Sequence, residues 1–187
     1  MSLKLYWNPK NPTHQLIPIT LIATGVVYED IRLSDDNTHH GKHPPYIENA
    51  EGKVLDKTLA IAKFYAKRKN YMGKDDWDLY CIEKGISLIS KIVRLLSSIL
   101  NRKCEISEWD KNKEMYLRHI EKLITENGHG FLVTKGITLT DLYFLVMMNY
   151  LKFTTFSKTL ENHPNFITVH EKILATLPQV KEYLEKP

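Results

Sequence analysis

The stretch over residues 136–151 most constrains the fold of this chain, because it specifies both a helix start and burial on every side. Thr138 can cap the helix through its hydroxyl. Asp141 follows three residues later, where its carboxylate can accept hydrogen bonds from free backbone amides and faces the positive helix end. From 142 to 151 only Asn149 is strongly polar. The stretch therefore predicts a fully buried helix, the central one of a helical domain.

The composition is that of an ordinary globular protein. The 187 residues can bury a sizeable core, as one domain or two small ones. The formal net charge of +4 comes from 26 basic residues scattered among 22 acidic ones, which does not indicate a nucleic-acid partner. No apolar run has the length of a membrane span, and residues 1–6 lack the apolar core of a signal peptide. Two cysteines, Cys81 and Cys104, offer no disulfide framework, so we expect a cytoplasmic protein.

The beginning of the chain reads as a strand, a helix and a second strand. Residues 3–7 are mostly apolar and are followed by a proline-rich turn, which predicts a first strand. Thr13 is a candidate cap for a helix that stops at Gly25. Residues 26–33 then alternate between apolar and polar types, as a second strand does.

A loop, a hairpin and another helix follow. Residues 34–43 have no apolar periodicity and predict an exposed loop. The pattern over 44–55 predicts a hairpin. Asp56 or Thr58 then begins a helix that ends in the basic residues 67–69, which suit a helix C-terminus.

Everything beyond the next linker reads as helix. Residues 70–76, with Gly73, form that linker. Apolar residues at spacings of three and four mark the helices that follow. The helical segments are 82–100, 108–126, 136–151, 164–177 and 178–185. We therefore predict an α/β domain over 1–69 and an all-helical domain over 77–187.

This order of elements resembles the glutathione transferase fold, an α/β thioredoxin-like N-terminal domain followed by an all-α C-terminal helical domain. Local sequences resemble the family, in its sigma-like and mu-like members, in the same order along nearly the whole chain. They are Gly25-Val-Val-Tyr-Glu-Asp30, Lys57-Thr-Leu-Ala-Ile61, Tyr71-Met-Gly-Lys-Asp-Asp-Trp77, Gly130-Phe-Leu-Val133 with Ile137-Thr-Leu-Thr-Asp-Leu142, and the tail from His163 to Leu184. Their order identifies the chain as a divergent member of that family.

The resemblance implies a thiol-activating residue at the end of the first strand. In the family, a tyrosine hydroxyl there donates a hydrogen bond to the glutathione sulfur and lowers the pKa of the thiol, so that a thiolate attacks an electrophile. Tyr6-Trp7-Asn8 resembles the Tyr-Phe-Asn or Tyr-Trp-Asn of family members, which makes Tyr6 the activator if one residue is inserted before Gly25. Counting back from Gly25 without that insertion puts Trp7 at the site.

The resemblance also implies a set of glutathione-binding residues. In the family, the peptide before a cis-proline pairs with the tripeptide backbone. Gly41-Lys42-His43-Pro44 resembles Gly-Gln-Val-Pro, whereas Pro45-Tyr46-Ile47 resembles Pro-Tyr-Leu, so Pro44 and Pro45 are alternatives for the cis residue. Thr58, at the positive end of its helix, matches the hydroxyl that holds the γ-glutamyl carboxylate. Lys57 replaces the usual Gln and puts a cation near that carboxylate.

The chain departs from the family in two places. The segment between Tyr28 and Pro45 is short, which removes the second helix that usually contacts the glycine end of glutathione. Lys84 and Ser87 stand where sigma-like members place acidic residues that reach across a dimer toward the γ-glutamyl amine. We therefore expect weakened glutathione binding and weakened activity.

The function implied by the resemblance is conjugation of the glutathione thiolate to small apolar electrophiles, a detoxification reaction, in a homodimer. Glutathione is then a co-substrate, and no other cofactor is implied. His39, His40 and His43 lie in a polar loop without acidic or thiol partners at fixed spacing, so the sequence predicts no metal site. The departures favour an alternative function, that of a non-catalytic protein of transferase fold that binds ligands, serves as a structural protein or mediates protein interactions.

Overall fold

A four-stranded sheet begins the chain in the computed structural model, which describes residues 3–152 and 156–186. The strands are β1 (Lys4–Trp7), β2 (Glu29–Arg32), β3 (Tyr46–Glu48) and β4 (Val54–Asp56). They lie in the order β2-β1-β3-β4, with β1 parallel to β2 and β3 antiparallel to both of its neighbours. Residues 33–45, which join β2 to β3, contain no helix, so the predicted loss of the second helix is confirmed.

Two helices pack on the sheet, and the rest of the described chain is helical. The helices are α1 (Leu16–Thr24), α2 (Thr58–Ala66), α3 (Asp76–Leu100), α4 (Ile106–Asn127), α5 (Leu139–Lys152), α6 (Pro164–Thr176) and α7 (Pro178–Glu185). The predicted elements are confirmed in order and type. Between the predicted helices 136–151 and 164–177, residues 153–155 lie outside the described residues, and Ser157–Asn162 form a 3-10 helix. Among the described helices, none combines the length and the apolarity needed to cross a membrane.

The start of α1 differs from the prediction. A short 3-10 helix over Pro12–Gln15 precedes α1, and the residue that caps it is Asn11 rather than Thr13. The Asn11 Oδ1 accepts hydrogen bonds from the Thr13 backbone N–H at 3.1 Å and from its hydroxyl at 2.8 Å. Thr13 is thus a donor to the cap, because the chain turns two residues earlier than the periodicity indicates. Gly25 ends α1 in the left-handed conformation, as predicted.

The central helix α5 is buried as predicted, and its start is held by Asp141. One carboxylate oxygen, Oδ2, accepts from the Thr138 N–H at 2.8 Å and from the Thr138 hydroxyl at 2.7 Å. The other, Oδ1, accepts from the Leu132 N–H at 2.9 Å. The Thr138 hydroxyl therefore donates to the carboxylate instead of accepting from an amide. Burial raises the pKa of Asp141 to about 6, against the effect of these hydrogen bonds.

Helices α1 and α2 separate two apolar clusters. The smaller one lies between these helices and the sheet, and it consists of Leu5, Trp7, Ile17, Leu21, Ile47, Ile61 and Tyr65. The larger one surrounds α5 and includes residues from the other side of α1 and α2, such as Leu16 and Ala62. The two helices are thus buried on two sides, and their first turns meet the helical part of the chain.

Candidate functional site

A cleft of about 340 Å³ opens where the 3-10 helix before α1 and the first turn of α2 meet the helical part of the chain. Its lining residues are Thr13, His14, Pro45, Lys57, Thr58, Leu59, Arg94 and Tyr143. Lys57 and Arg94 bring positive charge to this lining, which includes no Asp or Glu. The cleft therefore favours an anionic ligand.

The first turn of α2 leaves backbone donors free at this cleft. No side chain caps the helix, and its first turn contains no acidic residue. The Ile61 N–H bonds to the Lys57 carbonyl at 3.0 Å. The N–H groups of Thr58, Leu59 and Ala60 have no acceptor within the described part of the chain. Free amides and the positive end of the helix dipole together make an anion site.

Lys57 stands at this helix start with an unusual backbone. Its φ is 69° and its ψ is 118°, in a region that side chains other than glycine rarely occupy. Such strain is stored most often at functional sites. The ammonium is largely exposed and lies 3.3 Å from the Asp56 carboxylate. Lys57 thus brings both a strained backbone and an exposed cation to the edge of the cleft.

The two candidate prolines have different conformations. The peptide bond between Pro44 and Pro45 is cis, so Pro45 is the cis residue of the two alternatives. Both prolines are buried, and Pro45 lines the cleft. Since Pro44 has no backbone N–H, it offers only its carbonyl to the backbone of an incoming peptide.

Tyr6 and Trp7 lie on opposite faces of the sheet, as neighbours in a strand must. The Trp7 indole is 2% exposed within the cluster under α1 and α2, and its Nε1 donates to Asp30 Oδ1 at 2.5 Å. The Tyr6 ring stacks on Tyr46 across the other face, with 4.5 Å between the ring centroids. His39 covers Tyr6 from the loop before β3, at 5.3 Å. Neither Tyr6 nor Trp7 is among the residues that line the cleft in the described structure.

Two further predicted residues, Lys42 and His43, lie in the loop before β3. Lys42 pairs with Glu48 at 3.0 Å and lies 5.4 Å from the centre of the Tyr46 ring. His43 is exposed, with a ring nitrogen 3.3 Å from the Thr38 hydroxyl. Of the predicted site residues, the cleft brings together Pro45, Lys57 and Thr58, while Tyr6, Trp7, Lys42 and His43 lie elsewhere.

Sequence reasoning missed His14, although it is buried at the cleft. Its Nδ1 accepts the Asn8 backbone N–H at 3.3 Å and lies 3.8 Å from Asp36 Oδ1. Burial lowers the pKa of His14, and the Asp36 carboxylate opposes that effect. Asn8 and Asn11 each donate a side-chain hydrogen bond to Asp36, at 3.0 and 2.8 Å. The loop that contains Asp36 is thereby fixed to the turn that contains His14.

Sequence reasoning also missed Arg94 and Tyr143, the lining residues from α3 and α5. Burial raises the pKa of Tyr143 to about 12, and the nearby Arg94 cation opposes that effect. In the sequence Tyr143 belongs to the apolar run of α5, and Arg94 is one of several basic residues on an amphipathic helix, so no local pattern marks either as part of a site.

Comparison with known proteins gives a consistent result. The family model described as "Glutathione S-transferase, C-terminal domain" matches residues 92–187, just over half of the chain. The class-mu 28 kDa glutathione S-transferase isozyme of Schistosoma japonicum is 25% identical over an alignment 198 positions long, which covers 97% of this chain and 96% of the relative.

Solved structures agree with this match in fold. The sigma class glutathione S-transferase of Fasciola hepatica has a TM-score of 0.84 at 21% identity and covers 98% of this chain and 95% of its own. A monomeric glutathione S-transferase of the hookworm Necator americanus has a TM-score of 0.82 at 20% identity, over 100% of this chain and 98% of its own. The arrangement of strands and helices is thus one that these proteins share.

Proposed function

This chain belongs to the glutathione S-transferase family, and from that premise we propose that it binds glutathione in the cleft at the start of α2 and conjugates it to small apolar electrophiles. One observation carries the proposal. The three free amides of Thr58, Leu59 and Ala60 face a lining that has cations and no carboxylate. The γ-glutamyl carboxylate of glutathione is an anion of the size that a helix start binds.

Two further groups suit the rest of the tripeptide. The Thr58 hydroxyl stands at the first residue of α2 and can donate to the same carboxylate. The Pro44 carbonyl, next to the cleft residue Pro45, can accept the amide N–H of the cysteine of glutathione. Pro44 has no N–H to return, and Lys84 and Ser87 give the ligand ammonium no acidic partner. We therefore propose weak binding.

The resemblance predicts Tyr6 as the residue that activates the thiol, and that role stays a prediction. The ring lies on the sheet face opposite the α1 and α2 cluster, stacked on Tyr46 and covered by His39. Conjugation assays of wild type and Tyr6→Phe test the assignment. If Tyr6 activates the thiol, loss of its hydroxyl lowers kcat at least tenfold; an unchanged kcat contradicts the role.

A second candidate function is glutathione or ligand binding without conjugation. The observation that favours it is the position of Tyr6 and Trp7, neither of which lines the cleft among the described residues. Calorimetric titration with glutathione at millimolar concentration, combined with a conjugation assay, distinguishes the two candidate functions. Heat of binding without conjugation of a standard apolar electrophile supports the second function. No heat of binding removes conjugation and glutathione binding alike.

We also propose a homodimer, as the family implies, in the cytoplasm. Large aromatic side chains are exposed on α2 and at the start of α3, with Phe64 at 51%, Trp77 at 71% and Tyr80 at 55%. Exposed aromatic side chains of this size are enriched at protein interfaces. Cys81 and Cys104 are unpaired, which fits a reducing compartment. Sedimentation of wild type and Trp77→Ser tests the dimer, and a wild type that sediments as a monomer at all concentrations contradicts it.

A further inference from the structure

His14 is a buried histidine at the cleft for which the proposed function has no use. It is 4% exposed, it lies in the turn before α1, and it lines the same cleft as Pro45 and Thr58. A buried polar ring at a ligand cleft is expected to have partners for both of its nitrogens. Within residues 3–152 and 156–186, the hydrogen bonds of His14 involve one ring nitrogen, Nδ1.

The hydrogen bonds of His14 fix its tautomer. Nδ1 accepts the Asn8 backbone N–H, so in the neutral ring the proton is on Nε2. Among residues 3–152 and 156–186, nothing accepts a hydrogen bond from this Nε2–H. Asn11 caps this turn, and the Asn8 backbone N–H donates to the His14 ring. The neutral ring of His14, which lines the cleft, therefore has an Nε2–H to donate.

We infer that the His14 Nε2–H donates a hydrogen bond to the sulfur of bound glutathione and stabilises the thiolate. The inference rests on the proposed binding mode. The γ-glutamyl carboxylate then lies at the first turn of α2 and the cysteine amide at the Pro44 carbonyl, and we place the sulfur at His14 because His14 lines the same cleft. The thiol gives its proton to solvent, and His14 keeps its own. The thiolate electron pair then forms the bond to the electrophile, whose leaving group departs with the electron pair of the broken bond.

Other charged groups around the cleft act on the same sulfur. Lys57 and Arg94 line the cleft and favour the thiolate, whereas Asp36, 3.8 Å from the His14 Nδ1, disfavours it. The Tyr143 hydroxyl lines the cleft as well. A test of His14 must therefore remove the Nε2 donor without changing charge.

Two substitutions separate the two ring nitrogens. The amide of His14→Asn reaches about as far as Nδ1, so its oxygen can still accept the Asn8 N–H while the cleft donor is lost. The amide of His14→Gln reaches about as far as Nε2 and keeps a donor toward the cleft. The matched control is His119→Asn, since His119 is an exposed histidine on α4.

The measurement is the pKa of the glutathione thiol in the complex, from the ultraviolet absorbance of the thiolate, with binding of S-methylglutathione as a second readout. We expect His14→Asn to raise the thiol pKa by about one unit and to lower the conjugation rate at neutral pH about tenfold, since hydrogen bonds to charged groups have this strength. His14→Gln should restore at least part of both. Binding of S-methylglutathione, which has no ionisable thiol, should stay within about twofold, and His119→Asn should match wild type.

The outcomes distinguish the inference from the proposed function. A thiol pKa in His14→Asn equal to that of wild type, with S-methylglutathione still bound, overturns the role of His14 and leaves the proposed function intact. If the conjugation rate falls in Tyr6→Phe and not in His14→Asn, the role of His14 is overturned and Tyr6 is the residue that activates the thiol. If wild type binds neither glutathione nor S-methylglutathione, the proposed function fails and the inference fails with it.

Discussion

The starts of helices α5 and α2 differ in how their backbone amides are used. At α5 the amides of Thr138 and Leu139 have acceptors, at 2.8 Å each, in the Asp141 carboxylate and the Tyr71 carbonyl. Asp141 is fully buried. At α2 no side chain caps the helix, and the first residue before it, Lys57, has a strained backbone.

The difference separates stability from function within one chain. A helix start whose donors are satisfied by the protein contributes to folding and has nothing left to offer a ligand. A helix start with free donors at a cleft gives up that stabilisation and keeps a site for an anion. Substitutions at the first start should therefore change the free energy of unfolding, and substitutions at the second should change affinity.

The largest effect is expected from Asp141→Ala. The change leaves the Leu132 and Thr138 amides buried without an acceptor, which should lower the free energy of unfolding by about 3 to 5 kcal/mol. Urea denaturation measures it. The control is Asp75→Ala at the exposed start of α3, where Asp75 accepts from the Asp78 N–H at 2.8 Å and its loss should cost only about 1 kcal/mol. If both variants lose the same free energy of unfolding, the buried carboxylate of Asp141 stabilises its helix start no more than an exposed cap does.

The same carboxyl group should make stability depend on pH. Its pKa is about 6 in the folded protein against 3.8 in the unfolded chain, so the folded state holds this proton more tightly. Stability relative to Asp141→Asn is then highest below pH 3.8 and falls by about 2 to 3 kcal/mol as the pH rises through about 6. Urea denaturation of both proteins from pH 4 to 8 measures the difference. A difference that rises with pH would show that the hydrogen bonds outweigh burial.

At α2, Thr58→Val should act on affinity alone. Valine keeps the shape of the side chain and removes the hydroxyl, which should weaken glutathione binding about tenfold, as loss of a hydrogen bond to a carboxylate does. The free energy of unfolding should change by less than about 0.5 kcal/mol. Calorimetry and urea denaturation measure the two quantities. If Thr58→Val lowers the free energy of unfolding and leaves the affinity for glutathione unchanged, the start of α2 stabilises the fold and does not bind the ligand.

The smallest effect is expected from Lys57→Gly. Glycine adopts a φ of 69° without strain, so the variant should be more stable by about 0.5 to 1 kcal/mol. Its affinity for glutathione should fall slightly, because a cation near the carboxylate is lost. Lys57→Ala keeps the strain and removes the cation, so it should lose affinity without gaining stability. If both variants gain stability equally, the backbone of Lys57 is not the cause.

Local patterns allowed much of the fold to be predicted. The uninterrupted apolar run in α5, the Gly25 stop and the Thr58 start each follow from a few adjacent residues. Thr13 was misassigned as a cap, because Asn11 is an equally good capping residue and only the backbone turn decides between them. Alternation in β1 shows that Tyr6 and Trp7 face opposite sides, but which side meets the cleft depends on how helices pack on the sheet.

The sequence predicts the residues of the cleft only where they are neighbours along the chain. Lys57 and Thr58 adjoin in sequence at the start of α2, so the family resemblance of residues 57–61 predicts both. His14, Arg94 and Tyr143 come from three separate elements and meet only through packing. A neutral buried histidine in a turn has no sequence signature that sets it apart from an ordinary one.

The most direct test of the central claim is a titration of the protein with glutathione, monitored by the backbone amide resonances of Thr58, Leu59 and Ala60. If the start of α2 binds the γ-glutamyl carboxylate, these three resonances shift together and saturate with one dissociation constant, while those of Thr138 and Leu139 stay in place. Amides at α2 that do not move at millimolar glutathione, while the ligand binds elsewhere, would contradict the account.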